Sequence, residues 1–150
     1  MVVFLARLAF QLLAVYVLVL ALVYFCQRSL QYFPDKNHPG DPRASAAPSM
    51  REVELKTEDG LTLIAWFAPP EKRDGKIVVM YHGNAGHMGY RAVKAQHFIE
   101  KGVGVLLVEY RGFGGNPGKP SEQGFYKDGR AALRFLDQKE YTTSQIVLYG

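Results

Sequence analysis

Cysteine is almost absent: Cys26, at the end of an apolar stretch, is the single one among 150 residues. A disulfide framework or a cysteine-based metal site within one chain is thereby excluded. Histidine is sparse too. The four residues at 38, 82, 87 and 97 include no pair at i, i+4, so the zinc-protease pattern of two ligands on one helical face is missing. No metal and no other cofactor is expected. Charge of one sign is also scarce, because the formal net charge is +4 and basic and acidic residues are interspersed. Such a balance reads as an ordinary solvated face and argues against nucleic acid as a partner.

What the chain has in excess is a long apolar run. From Leu8 to Cys26 the only strongly polar side chain is Gln11. As a helix rising about 1.5 Å per residue, the run covers roughly the 30 Å of bilayer hydrocarbon. Residues 1–7 are then a flank and 8–26 a transmembrane anchor, with the lipid bilayer as partner and Tyr24 and Phe25 near one interface. Arg7 before the run also fits a secretory signal, but no small-x-small cleavage site follows promptly, and Ala44-Ser45-Ala46 lies far downstream. An uncleaved anchor is expected. Arg7 on one side and Arg28, Lys36 and Arg43 on the other leave its orientation open.

Pro34, Pro39, Gly40, Pro42 and Pro48 mark residues 27–50 as a linker. Residues 51–150 read as one mixed domain. Val53, Leu55 and Thr57 alternate with polar residues, Asp59-Gly60 supplies turn chemistry, and Leu61, Leu63 and Ala65 resume the alternation, which predicts a β-hairpin. The apolar runs Ile77–Met80, Val103–Val108 and Ile146–Tyr149 resemble strands buried on two faces. Ala95, Phe98 and Ile99 lie at helical spacing between the first two runs, as do Phe125, Ala132, Phe135 and Leu136 between the next two. Strand-helix-strand-helix-strand predicts an α/β fold, a mostly parallel sheet with an antiparallel hairpin at its N-terminal edge.

In such sheets chemistry gathers at the carboxyl ends of the strands. Two loops qualify: His82-Gly83-Asn84-Ala85-Gly86-His87, and Tyr110-Arg111-Gly112-Phe113-Gly114-Gly115-Asn116-Pro117-Gly118. A phosphate-binding P-loop fails in the second, where Phe113 takes the place of its first glycine and Pro120 that of its Ser/Thr. A dinucleotide site is closer, since Gly83, Gly86 and Gly89 follow a strand and Glu109 ends the next one. The spacing is G-x-x-G-x-x-G, however, without the G-x-G that lets a pyrophosphate approach. A third reading is that the glycines only shape tight turns.

The two loops, together with Ile146-Val147-Leu148-Tyr149-Gly150, resemble in order and spacing the N-terminal half of an α/β-hydrolase. The anchor followed by Arg28-Ser29-Leu30-Gln31-Tyr32-Phe33-Pro34-Asp35 is similar to the single-span, bud-emergence-type branch of that superfamily, related to the serine aminopeptidase group. The resemblance implies that the first loop forms part of an oxyanion hole, with the backbone N–H of Asn84 as donor and Gly83 permitting the approach. It implies structural roles for His82 and Arg111, and a catalytic histidine elsewhere than at 82 or 87.

Gly150 would be the first glycine of the nucleophile elbow G-x-S-x-G, whose serine sits on a strained strand-to-helix turn. Nucleophile, acid and base are thus absent from these 150 residues, and the expectation is half of a membrane-anchored serine hydrolase for ester or peptide/amide bonds, not competent alone. An exposed flank on the last strand and low stability are expected with it. Two alternatives stay open: a membrane-tethered interaction protein retaining half a hydrolase fold, and a fragment of a nucleotide-dependent oxidoreductase.

Overall fold

The computed structural model describes residues 1–150, which form two compact units, Met1–Tyr32 and Phe33–Gly150. The first is one helix, α1 (Val2–Gln31), with none of its residues buried. It extends beyond the expected span 8–26 at both ends because nothing stops it: no glycine or proline occurs before Pro34. Tyr32 turns the chain to extended backbone (φ −115°, ψ 127°), and Phe33 is held extended by the proline that follows. In length and composition α1 suits a membrane span, and a signal sequence near an N-terminus has the same character.

The second unit contains strands β1 (Phe33–Pro34), β2 (Arg51–Lys56), β3 (Thr62–Ala68), β4 (Ile77–Tyr81), β5 (Ala85–Gly86), β6 (Gly104–Val108) and β7 (Ile146–Tyr149). Helices α2 (Ala92–Ile99) and α3 (Glu122–Gln138) follow β5 and β6. The main sheet runs in the order β2-β3-β6-β4-β7, with β2, β3 and β6 antiparallel to their neighbours in turn and β6, β4 and β7 parallel. Leaving β4, the chain crosses to one side through α2, and leaving β6 it crosses back over β4 through α3, so the direction of the connections reverses at β6.

Alternation along the central strands divides the core. Val78, Met80, Val105 and Leu107 face Ala92 and Ala95 of α2, whereas Ile77, Val79, Leu106 and Val108 face Ala131, Ala132 and Leu136 of α3. Each such aliphatic side chain contributes about 1.5–3 kcal/mol when fully buried, which is why continuous apolar runs settle between two helical layers. Strand β7 pairs only with β4, and its Val147 and Leu148 are exposed, as the sequence led us to expect of that flank.

Residues 33–50 differ from the expected linker. Phe33–Pro34 is a strand, Asp41 caps a single 3-10 turn by accepting the Arg43 N–H (2.9 Å), and Ala47 and Met50 are completely buried beside Trp66. The prolines bar long regular elements but not packing, and the two apolar side chains fill the hairpin face that α2 leaves uncovered.

Candidate active site

Register brings the first pair of site residues together. Tyr81 of β4 lies beside Val108 of β6, so the next residues, His82 and Glu109, leave the sheet side by side. His82 Nε2 is 2.6 Å from Glu109 Oε1, and both side chains are 0% exposed. Glu109 Oε1 also accepts the Tyr110 N–H (3.1 Å), and Oε2 accepts the Met88 N–H (2.7 Å), so the carboxylate that ends β6 anchors the loop after β4. His82 Nδ1 lies 2.8 Å from the Gly83 carbonyl oxygen. Both ring nitrogens therefore face oxygen atoms, one of the Glu109 carboxylate and one of the Gly83 carbonyl.

The contact with Gly83 orients the peptide that follows. Every peptide bond in the chain is trans, and across a trans peptide the C=O and the next N–H point in opposite directions. With the Gly83 carbonyl turned to the buried imidazole, the Asn84 N–H is turned away from it, in a stretch, residues 83–85, that is exposed. The far side of Asn84 is fixed as well: its carbonyl accepts the Phe33 N–H at 2.8 Å, and the Gly86 carbonyl accepts the Asp35 N–H at 3.0 Å, in the two-residue parallel pairing of β1 with β5. Gly86 is left-handed (φ 80°), and a Cβ there would lie 2.7 Å from the Tyr90 ring. Gly83 is different. Its φ is not left-handed and a Cβ would meet nothing within 4 Å, so the fold itself does not require glycine there.

The second loop is tied to the scaffold. Arg111 Nε and Nη2 reach Asp128 Oδ1 at 2.9 and 2.8 Å, its Nη1 and Nη2 reach Asp59 at 2.9 and 3.1 Å, and its backbone N–H donates to Asp128 Oδ2 at 3.0 Å. The Arg111 hydrogen bonds, and next the Thr57 hydroxyl, hold the Asp59 carboxyl well below the usual carboxylate range. Burial pushes the Asp128 carboxyl up, against the pull of the same guanidinium. Arg111 thus joins hairpin turn, loop and α3, with its donors directed at two carboxylates and not at a ligand. Asn116 caps the sheet in a similar way, its Oδ1 accepting the Ile64 N–H at 2.8 Å. Beside these loops lies an apolar depression of about 390 Å³ lined in part by Tyr81, Tyr110, Phe125 and Leu133. Burial pushes the Tyr81 phenol up to about 12.

The structure thus brings Gly83 and Asn84 next to His82 and Glu109. Sequence reasoning noted Glu109 only as the acidic residue ending the next strand in the dinucleotide reading, whereas the carboxylate is wholly buried with its oxygens on His82, Met88 and Tyr110. It missed Asp35, which receives Tyr90 Oη on Oδ2 at 2.7 Å, with His87 Nε2 3.7 Å away and stacked on the Tyr90 ring at 4.0 Å. The Tyr90 hydrogen bond and then the Asn37 N–H hold the Asp35 carboxyl below its ordinary value. No three His, Cys, Asp or Glu side chains are grouped so as to hold a metal ion.

No protein-family profile matches the chain. It is 34% identical over 139 residues to the alpha/beta hydrolase domain-containing protein WAV2 of Arabidopsis thaliana, covering 87% of this chain and 44% of WAV2. It is 32% identical over 148 residues to the protein bem46 of Schizosaccharomyces pombe, covering 92% of this chain and 49% of bem46. The chain therefore spans about half the length of the curated relatives it matches. Among solved structures, an alpha-beta hydrolase from Vibrio vulnificus superposes with a TM-score of 0.59 at 29% identity, over 67% of this chain and 34% of that one. Strand order, loop positions and these similarities agree: the chain belongs to the α/β-hydrolase superfamily, in its bem46-like branch.

Proposed function

We propose that the chain is the oxyanion-binding half of a serine hydrolase that cleaves carboxylic ester or peptide/amide bonds and is held on a membrane by α1. The observation that carries this reading is the orientation of one peptide: the Gly83 carbonyl is held by His82 Nδ1 at 2.8 Å, which turns the Asn84 N–H outward from the buried ring. A donor fixed in that way acts because negative charge develops on the substrate carbonyl oxygen as a nucleophile adds to the carbon. Loss of one such donor costs about 3 kcal/mol in other enzymes. The sheet register supports the same reading. Met80 of β4 lies beside Tyr149 of β7, so Gly150 emerges next to Tyr81 at the end of the sheet that carries residues 82–87. A Gly-x-Ser-x-Gly elbow opening at Gly150 would deliver its serine next to this loop. These 150 residues contain no such motif, and alone they are not expected to turn over a substrate.

Exposed Val147 and Leu148 on β7 favour a second reading, a membrane-tethered protein that binds partners through this edge without catalysis.

Intact mass and ester turnover of the polypeptide from its native source separate the two. A mass well above 16.8 kDa with hydrolysis of a p-nitrophenyl ester supports the hydrolase; a mass near 16.8 kDa without hydrolysis supports the interaction protein. Retention in the membrane pellet after alkaline carbonate extraction tests the anchor, and release into the supernatant would refute it.

A further inference from the structure

Asp35 makes contact with both candidate loops at once. Its backbone N–H donates to Gly86 O at 3.0 Å in the loop after β4, and its carbonyl accepts the Gly114 N–H at 2.7 Å in the loop after β6. Its side chain adds a tie on the β4 side alone: Oδ2 takes the Tyr90 hydroxyl at 2.7 Å, while Oδ1 takes the Asn37 N–H and Asn37 Nδ2 at 2.9 Å each within its own segment. The same two loops are already joined in the interior by Glu109, which binds His82 and the Met88 N–H. Gly114 stands between the two ties. Its N–H is on Asp35, its backbone is left-handed (φ 54°), and a Cβ there would collide with the Glu109 carboxylate.

The contacts close a circuit. From Asp35 it passes through Gly114 to Glu109, on to His82, to the Gly83 carbonyl, and through the Asn84 carbonyl to Phe33, which rejoins Asp35 across Pro34. The peptide between Gly83 and Asn84 is one link of that circuit, and Pro34 stiffens another by fixing its own φ. An interior tie alone would leave the solvent side of the loop free to open.

We propose that Asp35 is a positioning residue, a strap that locks the loops after β4 and β6 together from the solvent side and so holds the Asn84 N–H in place for catalysis. The catalytic part of the inference rests on the hydrolase reading; the mechanical part does not. The strap also places the geometry of the site under the control of the segment that leaves α1, since Phe33 and Asp35 both belong to it.

The test compares the unaltered full-length native polypeptide with Asp35→Ala, Asp35→Asn and Tyr90→Phe variants by two readouts. Hydrogen exchange of the backbone amides of residues 84–90 should speed up about tenfold in Asp35→Ala, which loses the side-chain tie to Tyr90 and keeps the backbone bonds to Gly86 and Gly114, with the β4 and β6 amides unchanged. Asp35→Asn, which keeps one acceptor oxygen, and Tyr90→Phe, which loses one donor, should fall between it and the unaltered protein. Turnover of p-nitrophenyl acetate should drop about tenfold in kcat for Asp35→Ala, with KM changed less than about twofold. Unchanged loop exchange in Asp35→Ala overturns the strap. Faster exchange with unchanged kcat, or an effect on KM alone, overturns its role in positioning the donor. If the unaltered polypeptide hydrolyses no ester, the hydrolase reading fails by itself, and the exchange data still decide whether Asp35 locks the loops.

Discussion

His82 and Glu109 stand 27 positions apart in the chain and 2.6 Å apart in space, with neither side chain exposed. A buried pair of this kind adds little stability over an apolar pair of the same shape, but removing one partner leaves the other unmatched in a dry interior. Glu109→Ala should therefore cost about 3–5 kcal/mol in urea unfolding. Glu109→Gln, which can still accept one backbone N–H, should cost about 1–3 kcal/mol. Equal costs for the two substitutions would contradict this, because Gln keeps the volume and one acceptor oxygen of Glu109, and would show that the site needs the full carboxylate.

The Asp59–Arg111–Asp128 group predicts an acid limit to stability. Asp59 has its folded-state pKa depressed, first by Arg111 and next by Thr57. The stabilisation is thus complete above the unfolded value of about 3.9 and is lost progressively as pH falls below it toward the folded value. Urea midpoints measured from pH 6 to pH 2.5 should fall on the acid side, and Asp59→Asn should lower the midpoint at pH 6 while flattening that fall. An Asp59→Asn profile parallel to that of the unaltered chain would assign the acid loss to other carboxylates.

Trp66 is completely buried, and its indole N–H has no acceptor. Burying an indole of roughly 200 Å² contributes about 5 kcal/mol, which outweighs the 1–3 kcal/mol cost of an unmatched N–H. Trp66→Phe removes the unmatched donor together with part of the ring, so it should destabilise by less than about 2 kcal/mol, against about 3–5 kcal/mol for Trp66→Ala. A Phe substitution as costly as the Ala one would mean that the N–H is satisfied in solution.

Much of this architecture was legible in the sequence, and the reason is local. The apolar runs at 77–80, 103–108 and 146–149, the turn at Asp59-Gly60 and the helical spacing of Ala95, Phe98, Phe135 and Leu136 each lie within a dozen or so residues, where periodicity speaks directly. Gly83 and Asn84 were found through resemblance to known hydrolases; their spacing alone left turn and dinucleotide readings open. The partners of the site were not legible. Glu109 meets His82 only because β4 and β6 align Tyr81 with Val108, and no feature of either loop encodes that register. Asp35 lay among prolines that argued for a linker, and its backbone bonds to Gly86 and Gly114 leave no side-chain signature. Met50 and Ala47 were overlooked for a related reason: two isolated apolar residues show no period, yet they cover Trp66.

The central claim, that the Asn84 N–H is an oxyanion donor, is tested most directly by an amide-to-ester replacement at residue 84 in the native-length polypeptide, which exchanges that N–H for an oxygen and keeps the side chain. The account predicts that kcat for ester hydrolysis falls about 10²–10³-fold, whereas Asn84→Ala, which retains the N–H, stays within a few fold of the unaltered protein. Undiminished kcat in the ester-substituted protein, with its fold intact by circular dichroism, would contradict the account.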